Sequence, residues 1–173
     1  DVIVVTKTPE NISDAEKKVI STELLTGEKQ KVFFSAINYS GLQPVFENAD
    51  PVNLTTEDQD RTERAAIVIT GIASPDPLIN HLGKYFAEIR HLRFPDHHNF
   101  TTGDIERIRM AFEETAMADK LIITTEKDAV RFREFPNIAV SLKKNLYCIP
   151  AGVRFLNDDK REFDKLILDY ART

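Results

Sequence analysis

The most unusual cluster of proton-handling groups is Asp96-His97-His98, inside the segment Phe94-Pro95-Asp96-His97-His98-Asn99-Phe100. A carboxylate beside an imidazole can orient the ring, and an imidazole can move protons near pH 7. The same three side chains are also oxygen and nitrogen donors for a metal ion. A plainer reading is a polar loop entering a helix, with the histidines capping or partly packed. A second cluster is Thr124-Thr125-Glu126-Lys127-Asp128. A helix N-terminus favours anions, and Lys127 would add a point charge beside it. Here the plainer reading makes Thr125 the cap, Asp128 its capping-box partner and Lys127 a solvated side chain. Beyond these local readings no specific role falls to Glu126, Lys127 or Asp128.

Two further motifs sit at the ends of apolar runs. Thr70-Gly71-Ile72-Ala73-Ser74-Pro75 reads as a tight strand-to-helix turn in which Gly71 lets backbones approach closely. Val5-Thr6-Lys7 puts a lysine at the end of a buried strand, followed after one helix by Phe33-Phe34-Ser35-Ala36. That is the layout of late strands in phosphate-loop nucleotide enzymes, where such strand ends flank the base. Thr6 and Lys7 are therefore candidate nucleotide-binding residues. The six glycines nowhere form G-x-x-x-x-G-K-[ST] or G-x-G-x-x-G, so the sequence holds no recognisable phosphate cradle.

The elements that must position these residues follow from the hydrophobic pattern. Val2–Thr6 and Val32–Ile37 read as buried strands, and the capping box Ser13-Asp14-Ala15-Glu16 opens a helix between them. Strand, helix and strand in about 40 residues make a βαβ unit with parallel strands. From Pro44 to Arg64 the periodicity dissolves, with Thr55-Thr56-Glu57-Asp58-Gln59-Asp60 in the middle. Such a stretch reads as a boundary or excursion.

Beyond it, strands are expected at Ala66–Thr70, Ile89–Phe94, Lys120–Thr125, Ile138–Leu142 and Leu146–Ile149. Ser74 is expected to cap a helix with Pro75 at its first position and Leu78, Ile79, Leu82 and Phe86 on one face. Thr101 to Asp104 opens a helix with Ile105, Ile108, Phe112 and Thr115 inward. A final helix carries Phe163, Leu166, Ile167 and Tyr170 at i, i+3, i+4, i+7. The expected fold is α/β, a mainly parallel sheet with helices on both faces in three layers. The expected organisation is 1–44 as the tail of a phosphate-loop domain, 45–65 as linker or loop, and 66–173 as a C-terminal α/β domain.

Composition narrows the function classes. The chain has 173 residues, 42% hydrophobic and 29% charged, enough for a soluble core without staples. A single cysteine, Cys148, excludes an internal disulfide framework, and its apolar setting Leu146-Tyr147-Cys148-Ile149 reads as a buried thiol. A net charge of −5 with small basic clusters only, such as Arg90-His91-Arg93 and Lys143-Lys144, argues against general nucleic-acid binding. No run approaches the roughly 20 apolar residues of a membrane span. The opening Asp1-Val2-Ile3-Val4-Val5, without methionine and directly in an apolar run, reads as the start of an excerpt.

Taken together, these pieces resemble the bacterial tetraacyldisaccharide 4′-kinases. The residues that carry the resemblance are the opening D-V-I-V-V-T-K and V-F-F-S with a downstream L-Q-P. Then come V-I-T-G-I-A-S-P, F-P-D-H-H-N-F-T and L-I-I-T-T-E-K-D-A-V-R-F, in family order over about residues 1–132. Ser74 stands where asparagine is common, and serine also caps helices.

The resemblance implies ATP- and Mg2+-dependent phosphorylation of the 4′-hydroxyl of a tetraacylated glucosamine disaccharide 1-phosphate, the lipid A precursor. It implies a setting at the cytoplasmic face of the bacterial inner membrane. The family's phosphate loop, magnesium-binding acids, catalytic aspartate and membrane-associating segment would lie upstream of Asp1, in an N-terminal kinase domain that is this chain's expected partner. The catalytic histidine of the family maps by motif to His97, with Asp96 orienting the loop, and the adenine neighbourhood maps near Thr6-Lys7. Without its phosphate loop the chain is expected to be inactive alone and to hold neither ATP nor Mg2+.

Two other readings compete. A metal-dependent phosphoesterase would use Asp96, His97 and His98 as ligands, but needs further acids to hold two metals. Asp158-Asp159 and Asp58/Asp60 supply a poor constellation. A non-catalytic α/β binding module would show neither metal nor nucleotide dependence.

Overall fold

A computed structural model describes residues 2–24, 27, 30–47, 50–54, 64–157 and 159–172. The polar stretch Thr55 to Asp60 lies outside them. The chain divides into two compact units, 1–38 with 152–173 and 39–151.

In the first unit, β1 (Val2–Val5) runs parallel to β2 (Lys31–Tyr39), with Val5 opposite Phe34, as a βαβ unit requires. The intervening α1 (Asp14–Leu24) opens on a reciprocal cap. Ser13 Oγ accepts from the Glu16 amide at 3.2 Å, and the Ser13 amide donates to Glu16 Oε2 at 2.8 Å. β8 (Ala151–Phe155), which no pattern in the sequence announces, joins the other edge of β2. This pairing groups residues 152–173 with the N-terminal unit, not with the rest of the expected 66–173 segment. Phe33, Phe155 and the half-buried Phe163 form an aromatic cluster with ring centroids 4.7 to 6.2 Å apart. Phe163 belongs to α6 (Asp159–Ala171), whose expected apolar face is only partly inward. Ile167 and Tyr170 are exposed.

The second unit is built on a five-stranded sheet in the order β3-β7-β6-β4-β5. Its strands are β3 (Gln43–Pro44), β4 (Arg64–Thr70), β5 (Glu88–Arg93), β6 (Asp119–Thr125) and β7 (Leu146–Ile149). β4, β5, β6 and β7 are mutually parallel, and the short edge strand β3 is antiparallel to β7. β4 is an inner strand buried on both faces, which is why Ala66-Ile67-Val68-Ile69 reads as a continuous apolar run rather than an alternation. One face of the sheet packs on α3 (Thr102–Glu114), α4 (Glu126–Glu134) and α5 (Val140–Asn145), through Ile108, Ala111, Ala129, Phe132 and Leu142. The other packs on Leu78 and Leu82 of α2 (Asp76–Leu82), on Phe86, and on Leu42 with Val52 and Leu54. The unit is thus a three-layer α/β/α arrangement.

Val2–Thr6, expected as a buried strand, has Val2 and Val4 exposed, and other local expectations fail for identifiable reasons. Residues Ile138 to Leu142, expected as a strand, lead into helix α5. Ile138 and Leu142 are buried while Val140 is exposed, so the apolar pattern satisfies a helical i, i+4 spacing as well as an alternation. Ser74 does not cap α2. Pro75 occupies the cap position with no side-chain cap bond, and its carbonyl accepts from the Leu78 and Ile79 amides at 3.0 and 3.1 Å.

Candidate active site

The chain order of the second unit sets where its chemistry gathers. From β4 the chain crosses through α2 to β5 on one side, then back through α3 to β6 on the other. Parallel sheets open a ligand crevice at the carboxyl ends of strands where the order reverses in this way. Those ends carry Gly71 after β4, Asp96 and His97 after β5, and Lys127 and Asp128 after β6.

Gly71 holds the centre. Its amide donates to Asp128 Oδ2 at 2.9 Å, and its carbonyl accepts from the His97 amide at 3.3 Å. A Cβ at this position would lie 3.0 Å from Asp128 Oδ1 and 3.3 Å from the Pro95 carbonyl, so only glycine lets both neighbours close over the end of β4. Asp128 is fully buried and also accepts from the Thr125 hydroxyl at 2.9 Å and from Arg131 Nη1 at 2.8 Å. Thr125 caps α4 as expected, accepting from the Asp128 amide at 3.1 Å. The Asp128 carboxylate, expected to complete a capping box, reaches across to β4 instead.

Above this base lie Asp96, His97 and Lys127. Lys127 Nζ donates to Asp96 Oδ1 at 2.9 Å and stands 3.4 Å from His97 Nε2. The His97 amide also donates to Asp96 Oδ1, at 3.0 Å, and His97 Nε2 is 3.7 Å from Asp96 Oδ2. His97 has a left-handed backbone, φ 61°, which costs a residue with a Cβ about 1 kcal/mol or more. Its imidazole is 73% exposed. The hydrogen bond from Lys127 holds the Asp96 carboxyl below the usual carboxylate range; slight burial opposes this, and the nearby His97 and Lys127 charges reinforce it.

His98, adjacent in sequence, has a different fate. Its Nε2 lies 2.9 Å from Asp104 Oδ2, and its ring stacks on Phe94 at 4.9 Å and meets Phe100 edge-on at 5.4 Å. Asp104 is the capping-box partner of Thr101. Burial pushes its carboxyl up, but hydrogen bonds from His98 and Thr101 outweigh that and leave it below the ordinary value. His98 is therefore part of the packing that starts α3.

Asp96, His97 and His98 are adjacent in sequence, but the structure brings together Asp96, His97 and Lys127 and turns His98 to Asp104. The signal for Lys127 was its place one residue into a helix opening at a neighbouring strand's carboxyl end. Glu126, the first residue of that helix, accepts from the Ala151 amide at 3.2 Å. Thr6 and Lys7 lie in the first unit, exposed at the carboxyl end of β1, with Lys7 in the left-handed region at φ 57°. His91 on β5 pairs with the buried Thr70, Nε2 to Oγ1 2.8 Å.

Among the described residues no three His, Cys, Asp or Glu side chains gather as a metal-ligand set. His98 is committed to Asp104, and an ammonium sits on Asp96 where a cation ligand set would need its metal. These side chains do not form a ligand set for a magnesium ion by themselves.

The fold and site define an α/β protein with an exposed carboxylate–imidazole–ammonium group at the switch point of a parallel sheet. A sequence model of the family described as "Tetraacyldisaccharide-1-P 4'-kinase" matches residues 1–172, and the chain belongs to that family. It is 37% identical over 173 residues to the tetraacyldisaccharide 4'-kinase of Parabacteroides distasonis, covering 100% of this chain and 46% of that protein. With the namesake from Phocaeicola vulgatus it shares 36% over 171 residues, 99% of this chain and 46% of the other. The chain thus spans about half the length of the curated relatives it matches. Among solved structures, LpxK from Aquifex aeolicus in complex with ATP superposes with a TM-score of 0.47 at 16% identity, covering 97% of this chain and 51% of that one. No helix among the described residues is long and apolar enough to cross a membrane.

Proposed function

We propose that this chain is the C-terminal portion of an ATP-dependent kinase that phosphorylates the 4′-position of a tetraacyldisaccharide 1-phosphate in lipid A biosynthesis. The observation that carries the reading is the family match over residues 1–172. In this reading the partner is an N-terminal kinase domain that binds ATP with Mg2+ and associates peripherally with the cytoplasmic face of the inner membrane. Phosphoryl transfer depends mostly on positioning and on metal and phosphate electrostatics. The chain itself supplies one proton-handling group, His97, with Asp96 orienting it, and Thr6 and Lys7 border the nucleotide base. The exposure of the His97 imidazole at the switch point supports that role, because a substrate hydroxyl or a partner's carboxylate can reach it.

The test is steady-state kinetics of His97→Ala in the complete protein. A positioned acid–base group contributes roughly 100- to 10,000-fold, so kcat is expected to fall by about 100-fold or more with little change in the KM for ATP. A His97→Ala protein that folds and keeps most of its kcat overturns the assignment.

A further inference from the structure

The geometry points to Lys127 as a positioning residue for His97, acting through Asp96 and the backbone of the 95–97 loop. The inference rests on the reading of His97 given above and extends it to a residue whose role the sequence left open.

The argument begins with what the loop needs. His97 sits at φ 61°, a conformation that a residue with a Cβ keeps only when its surroundings impose it. Two acceptors impose it here, and both take the same donor: the His97 amide reaches the Gly71 carbonyl at 3.3 Å and Asp96 Oδ1 at 3.0 Å. The Gly71 end is rigid, because Gly71 is fixed to the buried Asp128 carboxylate. The Asp96 end is an exposed loop carboxylate, and without a further partner its oxygen would be free to turn to water.

Lys127 supplies that partner. Its ammonium donates to Oδ1, the same oxygen that takes the His97 amide, at 2.9 Å. It also stands 3.4 Å from His97 Nε2, so one cation touches the ring of the histidine and, through Asp96 Oδ1, braces its backbone. Lys127 starts from a fixed point as well, since the next residue, Asp128, ties the first turn of α4 to Gly71 and to Thr125. The side chain is 42% exposed, which a solvated lysine would also be. What separates the two is the convergence of both contacts on the adjacent pair Asp96 and His97.

The experiment is a double-mutant cycle in the complete protein, with kcat and both KM values measured for Lys127→Met, Lys127→Arg, His97→Ala and Lys127→Met/His97→Ala. Melting temperatures are recorded for each, and Lys127→Gln serves as a second variant should Lys127→Met fold poorly. Misplacing a catalytic group by about 1 Å can cost on the order of 100-fold, so Lys127→Met is expected to lower kcat by about 10-fold or more with KM values nearly unchanged. Lys127→Arg, which can still donate to Asp96, is expected to recover most of the loss. In the His97→Ala background, Lys127→Met should cost less than about 2-fold further, the non-additivity of residues that act as a unit.

Three results overturn the inference. If His97→Ala is strongly impaired but Lys127→Met and Lys127→Gln keep their kcat, Lys127 has no positioning role and the reading of His97 stands. If the Lys127 loss persists in full on top of His97→Ala, or appears as a raised KM, the lysine acts on substrate rather than through the histidine. If His97→Ala is itself fully active, the reading of His97 fails and this inference falls with it.

Discussion

The carboxylate of Asp128 accepts a hydrogen bond from the backbone amide of Gly71 at 2.9 Å, joining the first turn of α4 to the end of β4 across 57 residues of sequence. Asp128 is completely buried, so its oxygens cannot exchange these partners for water. Truncating it would leave the Gly71 amide and the Thr125 hydroxyl with fewer acceptors and Arg131 without its ion-pair partner. Asp128→Ala is expected to destabilise by about 3 kcal/mol, in the range for breaking buried polar networks, and Asp128→Asn by less. Urea unfolding checks this, with the midpoint falling at unchanged slope.

Gly71 is constrained from the other side of the same contact. Gly71→Ala places a Cβ 3.0 Å from Asp128 Oδ1 and 3.3 Å from the Pro95 carbonyl. Neither neighbour is a free side-chain end. The substitution is expected to cost about 1–3 kcal/mol, the usual range for overpacking, and to displace the loop that carries His97. Activity of the complete protein should fall together with its melting temperature.

The two adjacent histidines should separate by measurement. His98→Ala removes a ring stacked on Phe94 and a hydrogen bond to Asp104, and is expected to destabilise by about 2 kcal/mol while lowering kcat clearly less than His97→Ala. Kinetics and thermal melts on both variants give the comparison. A larger kcat loss at His98 than at His97 would transfer the site assignment to His98.

Stability should depend on pH through His91. Burial, with help from Arg93 and against a smaller effect of Asp76, pushes its imidazole below the ordinary value. The unfolded chain then binds the proton first as pH falls, so folding loses stability from about pH 6.5 down to the depressed native value, and the loss is complete below it. Melting temperatures at pH 7.5 and 5.5 are expected to drop in that order, and His91→Gln should flatten the difference.

The isolated 173-residue chain is expected to turn over no ATP, because one acid–base group without a phosphate cradle lacks the larger part of what phosphoryl transfer requires. Steady ATP hydrolysis by the purified chain, abolished by a substitution within it, would contradict this.

What the sequence determined by itself was everything whose cause lies within a few residues. The caps Ser13–Glu16 and Thr101–Asp104 close over three residues, so their residue types are sufficient to place α1 and α3. The apolar runs of β4 and β6 identify strands covered on both faces, and the parallel βαβ unit follows from the spacing of β1, α1 and β2. Where local patterns fit two structures, sequence could not choose. Ile138, Val140 and Leu142 suit a strand or a helix, and Ala151-Gly152-Val153-Arg154-Phe155 follows Pro150 and carries a glycine, so it reads as a turn and does not announce β8. The site belonged to neither category. Lys127 meets Asp96 across 31 residues, and Asp128 meets Gly71 across 57. Those meetings exist because the order β6-β4-β5 sets three carboxyl ends side by side, and because the glycine on the middle strand leaves space for its neighbours to close above it. Strand order is decided by how whole faces bury against one another, a sum over the core that no short segment carries.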